Sequence, residues 1–310
     1  MRKLFFLFGL LFFIKACHSS KDFNKQIKND VRILASDSME GRKTGTKSEK
    51  KAANYIANRF TELKLIPKGT DLYFQNFIFK LNTDPHEEAE FSNIKKEGYA
   101  EGRNIVGFID NKSKQTIVIG AHYDHLGFGG EGSLYRETTL AVHNGADDNA
   151  SGVALLLNLA ARSNELGKAN NYLFIAFSGE EMGLLGSNYF TKNTTLNKNT
   201  FNYMINMDMV GRLNESNTLA VYGVGTSPLF KQTLSSNNSF FKLVYNDSGI
   251  GPSDHTSFYL IDVPVLHFFT GQHTDYHRPS DDADHLNYEG MVQISNYIVS
   301  LINDLDDNGK

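Results

Sequence analysis

An α/β fold, with a mixed, mostly parallel central sheet and helices on both faces, is what this sequence predicts. Three observations support it. Short apolar strands alternate with helical segments from about residue 104 onward. The stretch Tyr172–Phe177 has almost no polar residue, as expected for a strand buried on both faces. Acids and histidines fall directly after such strands, at the sheet edge where open α/β sheets bind their ligands.

The elements follow in order. Phe23, Ile27, Val31 and Leu34 recur at helical spacing, with Asp22 as N-cap, and a second helix runs from about Ser48 to Leu63 with Ala52, Ala53, Ile56 and Phe60 inward. Tyr73 to Leu81 alternates and reads as a strand; residues 82–103 are polar and irregular, a surface excursion. Strands are then expected at Asn104–Ile109, Thr116–Gly120, Tyr172–Phe177, Phe201–Met209, Leu219–Tyr222, Leu243–Tyr245 and Val263–Phe269. Helices are expected at Gly152–Ala161, Leu184–Phe190 and Glu289–Asn303. No repeat, low-complexity stretch or interior linker interrupts residues 23–310, which read as a single domain.

The composition excludes several classes. The chain has 310 residues, 40% hydrophobic and 21% charged, which is ample for a real core and unlike a disordered protein. Its 31 basic against 35 acidic residues argue against a nucleic-acid partner. A single Cys rules out an intramolecular disulfide framework and any Cys-rich metal site.

The N-terminus reads as an address. Arg2 and Lys3 precede an apolar run from Leu4 to Ile14, too short for the roughly 20 residues that span a bilayer. Cys17 follows in Ile14-Lys15-Ala16-Cys17, which resembles a bacterial lipobox. Lys15 departs from the small or apolar residue usual there. The expectation is a lipoprotein signal over residues 1–16, a tether over 17–22 and a lipid on Cys17 as the membrane link; plain secretion is the alternative. Removing 1–16 takes away Arg2, Lys3 and Lys15 and no acid, leaving 28 basic against 35 acidic residues, a net charge of −7.

The candidate chemistry lies in His122-Tyr123-Asp124, Asp147-Asp148, Glu180-Glu181, Asp208 and Tyr276-His277. Singly, each has an ordinary explanation: a polar turn, acids at a helix start, a surface histidine. Asp208 is the hardest to dismiss, because an ionised Asp within Met204-Ile205-Asn206-Met207-Asp208-Met209-Val210 is costly to bury without a partner or metal. Together, three carboxylates and two imidazoles form a mixed N/O set suited to zinc. Five ligands exceed what one catalytic zinc needs; one shared carboxylate and two private ligands per metal would serve a pair.

At that point the chain resembles the co-catalytic zinc aminopeptidases, a zinc exopeptidase family with secreted bacterial leucyl aminopeptidases and, more distantly, glutaminyl cyclases. The resemblance covers about Val31 to the C-terminal helix. It rests on "LASDSMEGRKTGT", "GAHYDHLG", "NGADDNASG", "SGEEMGLLGS", "INMDMVGR", "SDHTSF" and "DYHRPSDD". It implies a zinc-peptidase catalytic domain over 23–310, of the phosphorylase/hydrolase-like type, holding two zinc ions and acting on peptides. By position, His122 and Asp208 would hold one zinc, Glu181 and His277 the other, and Asp147 would bridge them. Asp124 would orient His122 through its second ring N–H. Glu180 would be general base, passing a proton from water to the leaving amine, and Tyr276 would face the substrate oxyanion. The resemblance also implies a cis peptide at Asp147-Asp148.

Weaker signals receive plainer readings. Asp254-His255 is expected to have a structural or supporting role, not a ligating one. Arg42 is expected to pair with an acid of its own motif. His125, His267, His273 and His285 read as loop or core histidines, and Ser280–His285 as a solvated acidic loop. A glutaminyl cyclase or a non-catalytic binding relative are the competing functions. The absence of Trp and the "ADDNASG" form argue against the first, and the intact ligand set against the second.

Overall fold

The computed structural model describes residues 22–81, 89–236 and 238–308. The leader and Cys17 lie outside the described residues; Asp22, at the end of the expected tether, begins the first helix. No described helix is long and apolar enough to cross a membrane.

Among the described residues ten strands form one sheet: β1 (Ile66–Pro67), β2 (Phe74–Lys80), β3 (Phe91–Ser92), β4 (Tyr99–Ile109), β5 (Thr116–His122), β6 (Asn171–Phe177), β7 (Phe201–Met207), β8 (Thr218–Tyr222), β9 (Lys242–Asn246) and β10 (Val265–Phe269). Their spatial order is β3-β2-β4-β6-β5-β7-β10-β8-β9, with β1 paired to β4. The centre, β6-β5-β7-β10, is parallel. Antiparallel pairs flank it at β4 with β6 and at β10 with β8. All four parallel strands therefore end at the same edge, which is where the candidate residues emerge. β4 begins at Tyr99, inside what reads in the sequence as a surface excursion; its first residues pair with β2 from Tyr99 against Lys80 to Arg103 against Asn76.

The helices are α1 over residues 22–34, α2 (Lys47–Glu62), α3 (Gly152–Ala161), α4 (Leu185–Lys192), α5 (Phe230–Ser236), α6 (His255–Tyr259) and α7 (Tyr288–Asn308). Strand β5 shows why the sheet needs cover on both sides: every residue of it is buried. Ile117, Ile119 and Ala121 face a large core shared with α1, α2, α3, α5 and α7. Val118 faces the other way, into a smaller core with Phe190 of α4 and Phe258 of α6. Period-two alternation in a doubly covered strand gives this uniformly apolar reading.

Helix α2 opens at Thr46, whose side chain accepts from Glu49 N, and buries Ala52, Ala53, Ile56 and Phe60. Glu49 itself is fully buried. It accepts from Arg103 N (3.0 Å), Tyr123 Oη (3.0 Å) and Ser178 Oγ (2.7 Å), tying α2 to the ends of β5 and β6 beside the site.

Candidate metal centre

Four loops converge at the carboxyl edge of the parallel strands. His122 is the last residue of β5, Glu180-Glu181 follows β6, Asp208 follows β7, and His277 lies beyond β10. A fifth contribution comes from a wide helical turn, Ala146–Ser151, that leads into α3.

On one side, His122 Nε2 lies 3.2 Å from Asp208 Oδ1 and 3.3 Å from Asp148 Oδ1. On the other, His277 Nε2 lies 3.2 Å from both Asp148 Oδ2 and Glu181 Oε2. The two oxygens of Asp148 thus face two imidazoles, one each. Two donors that share a tetrahedral zinc at about 2.0–2.1 Å stand about 3.3 Å apart. The observed separations match that spacing on both sides, so these residues fit a pair of cations. Glu180 brings a carboxylate oxygen within 4.8 Å of the donor atoms of His122 and Asp208.

Against the expectation for Asp147, it is the Asp148 carboxylate that faces both imidazoles. Asp147 is turned the other way: its Oδ1 accepts Gly211 N at 2.6 Å. His273 Nε2 lies 3.2 Å from its Oδ2, an ion-pair contact. The irregular backbone of this turn, non-helical at Asp148 and Asn149, decides which of the two acids faces the centre. The cis peptide is likewise one bond later than expected, at Asp148-Asn149. Asn149 completes the turn, donating to Met207 O at 3.0 Å and accepting from Gly152 N at 2.9 Å.

The imidazoles are aimed from behind. His277 Nδ1 donates to Gly132 O at 2.8 Å, which leaves Nε2 free to face Asp148 and Glu181. His122 Nδ1 lies 3.3 Å from the Asp124 carbonyl and 3.6 Å from its carboxylate. The backbone of Asp124 is therefore the nearer acceptor, and its carboxylate instead accepts Glu180 N at 3.2 Å. Asp208 is steadied by Ser253 Oγ, which donates to Oδ2 at 2.8 Å.

Three residues acquire roles that the sequence reading did not give them. His125 is buried, with Nδ1 2.6 Å from Glu181 Oε1. Asp281, expected in a solvated loop, is fully buried. Its carboxylate accepts Asp147 N at 3.0 and 3.1 Å and Asp148 N at 3.0 Å, holding the turn that presents the Asp148 carboxylate. Among the described residues Arg42 pairs with no acid; its guanidinium donates to backbone carbonyls. Asp254 is buried with both carboxylate oxygens lacking a hydrogen-bond partner among the described residues, and it lies outside the donor cluster.

Electrostatics follow from this crowding. Burial opposes charge on His122, but Asp208 and Glu180, with contacts to Asp124 and Asp148, carry it well above its ordinary value. Burial likewise opposes charge on Asp148, yet His122 and His277 hold it well below the carboxylate range. Glu180 is pushed well above that range, first by burial and then by Asp208, Glu181 and Asp254, which outweigh the opposing pull of His122. Tyr276 stacks on His277, with centroids 3.8 Å apart and planes at 22°. Burial and then the Asp148 and Glu181 carboxylates push its phenol up, so it remains an O–H donor.

A profile of peptidase family M28 matches residues 104–302. The chain belongs to peptidase family M28. The aminopeptidase YwaD of Bacillus subtilis (strain 168) is 22% identical over 314 residues, which cover 91% of this chain and 64% of that protein. A probable leucine aminopeptidase of Trichophyton verrucosum is 26% identical over 65% of this chain and 55% of its own length. The M28 chain thus spans about half to two thirds of these relatives. In three dimensions it superposes on BSAP, a zinc aminopeptidase from Bacillus subtilis, with a TM-score of 0.70 and 19% identity, over 91% of this chain and 95% of that one. It superposes as well on the glutaminyl cyclase of Bacteroides thetaiotaomicron, with a TM-score of 0.69 and 18% identity, over 92% of this chain and 97% of that one. The M28 fold is shared by both.

Proposed function

We propose that this chain is a zinc-dependent exopeptidase, an aminopeptidase that removes N-terminal residues from peptides. The observation that carries the reading is the single carboxylate, Asp148, reaching two imidazoles with its two oxygens at the edge of the parallel sheet. His122 and Asp208 would hold one zinc and Glu181 and His277 the other, with Asp148 shared. Bound zinc would acidify water and polarise the scissile carbonyl.

The remaining steps belong to the protein. Glu180 accepts the proton of the attacking water and delivers it to the leaving amine. Its raised affinity for a proton suits that return delivery, and the charge of a cation would temper it. The Tyr276 phenol, protonated and beside His277, donates to the oxygen that becomes negative as the carbonyl is attacked. A cavity of about 800 Å³ reaches Glu181 and is walled by Leu126, Met182, Leu184, Leu185, Leu260 and Ile261, giving room for an apolar side chain.

Two assays test the proposal. Peptides with free N-termini should be trimmed and their N-acetylated counterparts spared; equal cleavage of both would reject aminopeptidase action. Glu180→Gln should keep its zinc and lose about 100-fold or more in kcat; near-normal turnover would remove Glu180 from the base role. The likeness to a glutaminyl cyclase fold adds one further arm. Cyclisation of N-terminal Gln peptides without amino-acid release would favour that chemistry instead.

A further inference from the structure

The N-terminal segment that precedes residues 104–302 buries a cation against the backbone that flanks the centre. Arg42 has no exposed surface. Its Nε donates to Tyr123 O at 2.7 Å, Nη1 to Leu34 O at 2.6 Å and to Asn144 O at 2.7 Å, and Nη2 to Gly145 O at 2.9 Å. Every acceptor is a neutral carbonyl. A guanidinium buried without a contacting acid is costly, and such an arrangement persists only where the surroundings repay it.

The identity of the acceptors says what is gained. Tyr123 sits between His122 and Asp124, while Asn144 and Gly145 lead into the turn that carries Asp148. One rigid, planar fork thus sets the distance between the end of β5 and that turn, which a flexible ammonium could not do. The segment is wedged in place. Glu40, Gly41 and Arg42 all have positive φ, at 47°, 65° and 49°. A Cβ on Gly41 would lie 2.5 Å from Gly127 O and 2.6 Å from His143 O. Gly127 N donates to Gly41 O at 3.0 Å, and His143 N to Gly127 O at 2.8 Å. Consecutive left-handed residues survive where packing over-determines them. The charge matters as well as the shape: Asp124, Asp148, Asp281 and Glu181 all favour the charged guanidinium against its burial.

We propose that Arg42 is a positioning residue of the metal centre. Its guanidinium clamps the His122 strand end to the Asp148 turn and offsets the surrounding acids, so metal affinity depends on a residue of the N-terminal motif, which precedes residues 104–302. This rests on reading the site as a metal centre.

The test uses the full chain, stripped of metal and titrated with Zn²⁺ against a chromophoric chelator, with thermal unfolding of each metal-free form recorded in parallel. Arg42→Lys should bind Zn²⁺ about 10- to 100-fold more weakly per folded molecule than the wild type. Arg42→Ala should do the same, and millimolar guanidinium, but not sodium chloride of equal strength, should restore part of the affinity. Wild-type Zn²⁺ affinity in Arg42→Lys, with only a lower melting temperature, would overturn the proposal. Failure of both variants to fold even in saturating Zn²⁺ would make Arg42 a folding residue and overturn it too. A wild-type chain that takes up no Zn²⁺ would fail differently, striking the metal-centre reading itself.

Discussion

Asp281 shows how a residue can matter to a metal centre without touching it. In the sequence it stands in Ser-Asp-Asp-Ala-Asp-His, which reads as a solvated acidic loop. In the fold it is the acceptor for two successive backbone N–H groups, those of Asp147 and Asp148. Burial and then the nearby Asp147 push its carboxyl up to about 6, despite those donors. Asp281→Asn keeps the volume but sets an amide donor against one of the N–H groups. It should weaken zinc binding about 10- to 100-fold, measured by chelator competition, with the protein still folded. The same scale explains what the sequence left ambiguous. His122, Glu181, Asp208 and His277 are legible because each follows an apolar strand. Asp147 and Asp148 are not separable by such an argument, because both precede the same helix and only the turn's backbone decides which faces inward. His125 was illegible for a similar reason: nothing local marks that its ring reaches Glu181.

At the scale of elements, legibility tracks burial. Strands β5, β6 and β7 are apolar on both faces and stand out in sequence. Helix α6, five residues long, has too few turns to show a period and went unseen. Yet it packs against α4 through Phe258 and Phe190, whose rings stack with centroids 5.9 Å apart. Phe190 is fully buried and also meets Phe177 and Phe201. These four rings hold the segment after Glu180-Glu181 against the sheet. Phe190→Ala should cost about 3–5 kcal/mol of stability by denaturant unfolding, because the neighbouring rings, held in β6, β7 and α6, cannot refill the cavity. A loss under 1 kcal/mol would mean the cluster collapses around the gap.

At the scale of the whole molecule, the acid limb of stability has an identifiable contributor behind the site. His255 and His267 stack with centroids 4.4 Å apart and planes at 4°. Burial lowers His255 to about 4 and His267 to about 3. An unfolded chain takes up these protons near pH 6.5, and the native state does not until much lower. Their contribution is therefore complete above pH 6.5 and declines as pH falls from there towards 4. Replacing one ring, as in His255→Gln, should flatten that decline relative to the wild type in unfolding curves recorded between pH 7 and pH 4. An unchanged slope would show that other groups set the acid limb.

The molecule's organisation converges on one claim, that a parallel sheet delivers two cation sites joined by Asp148. Zinc content measured on the purified chain, beside its Asp147→Ala and Asp148→Ala variants, tests it most directly. The account predicts two zinc ions per wild-type chain, near-complete retention in folded Asp147→Ala, and loss of at least one ion in Asp148→Ala. Two tightly held ions in Asp148→Ala, or their loss only on changing Asp147, would contradict it.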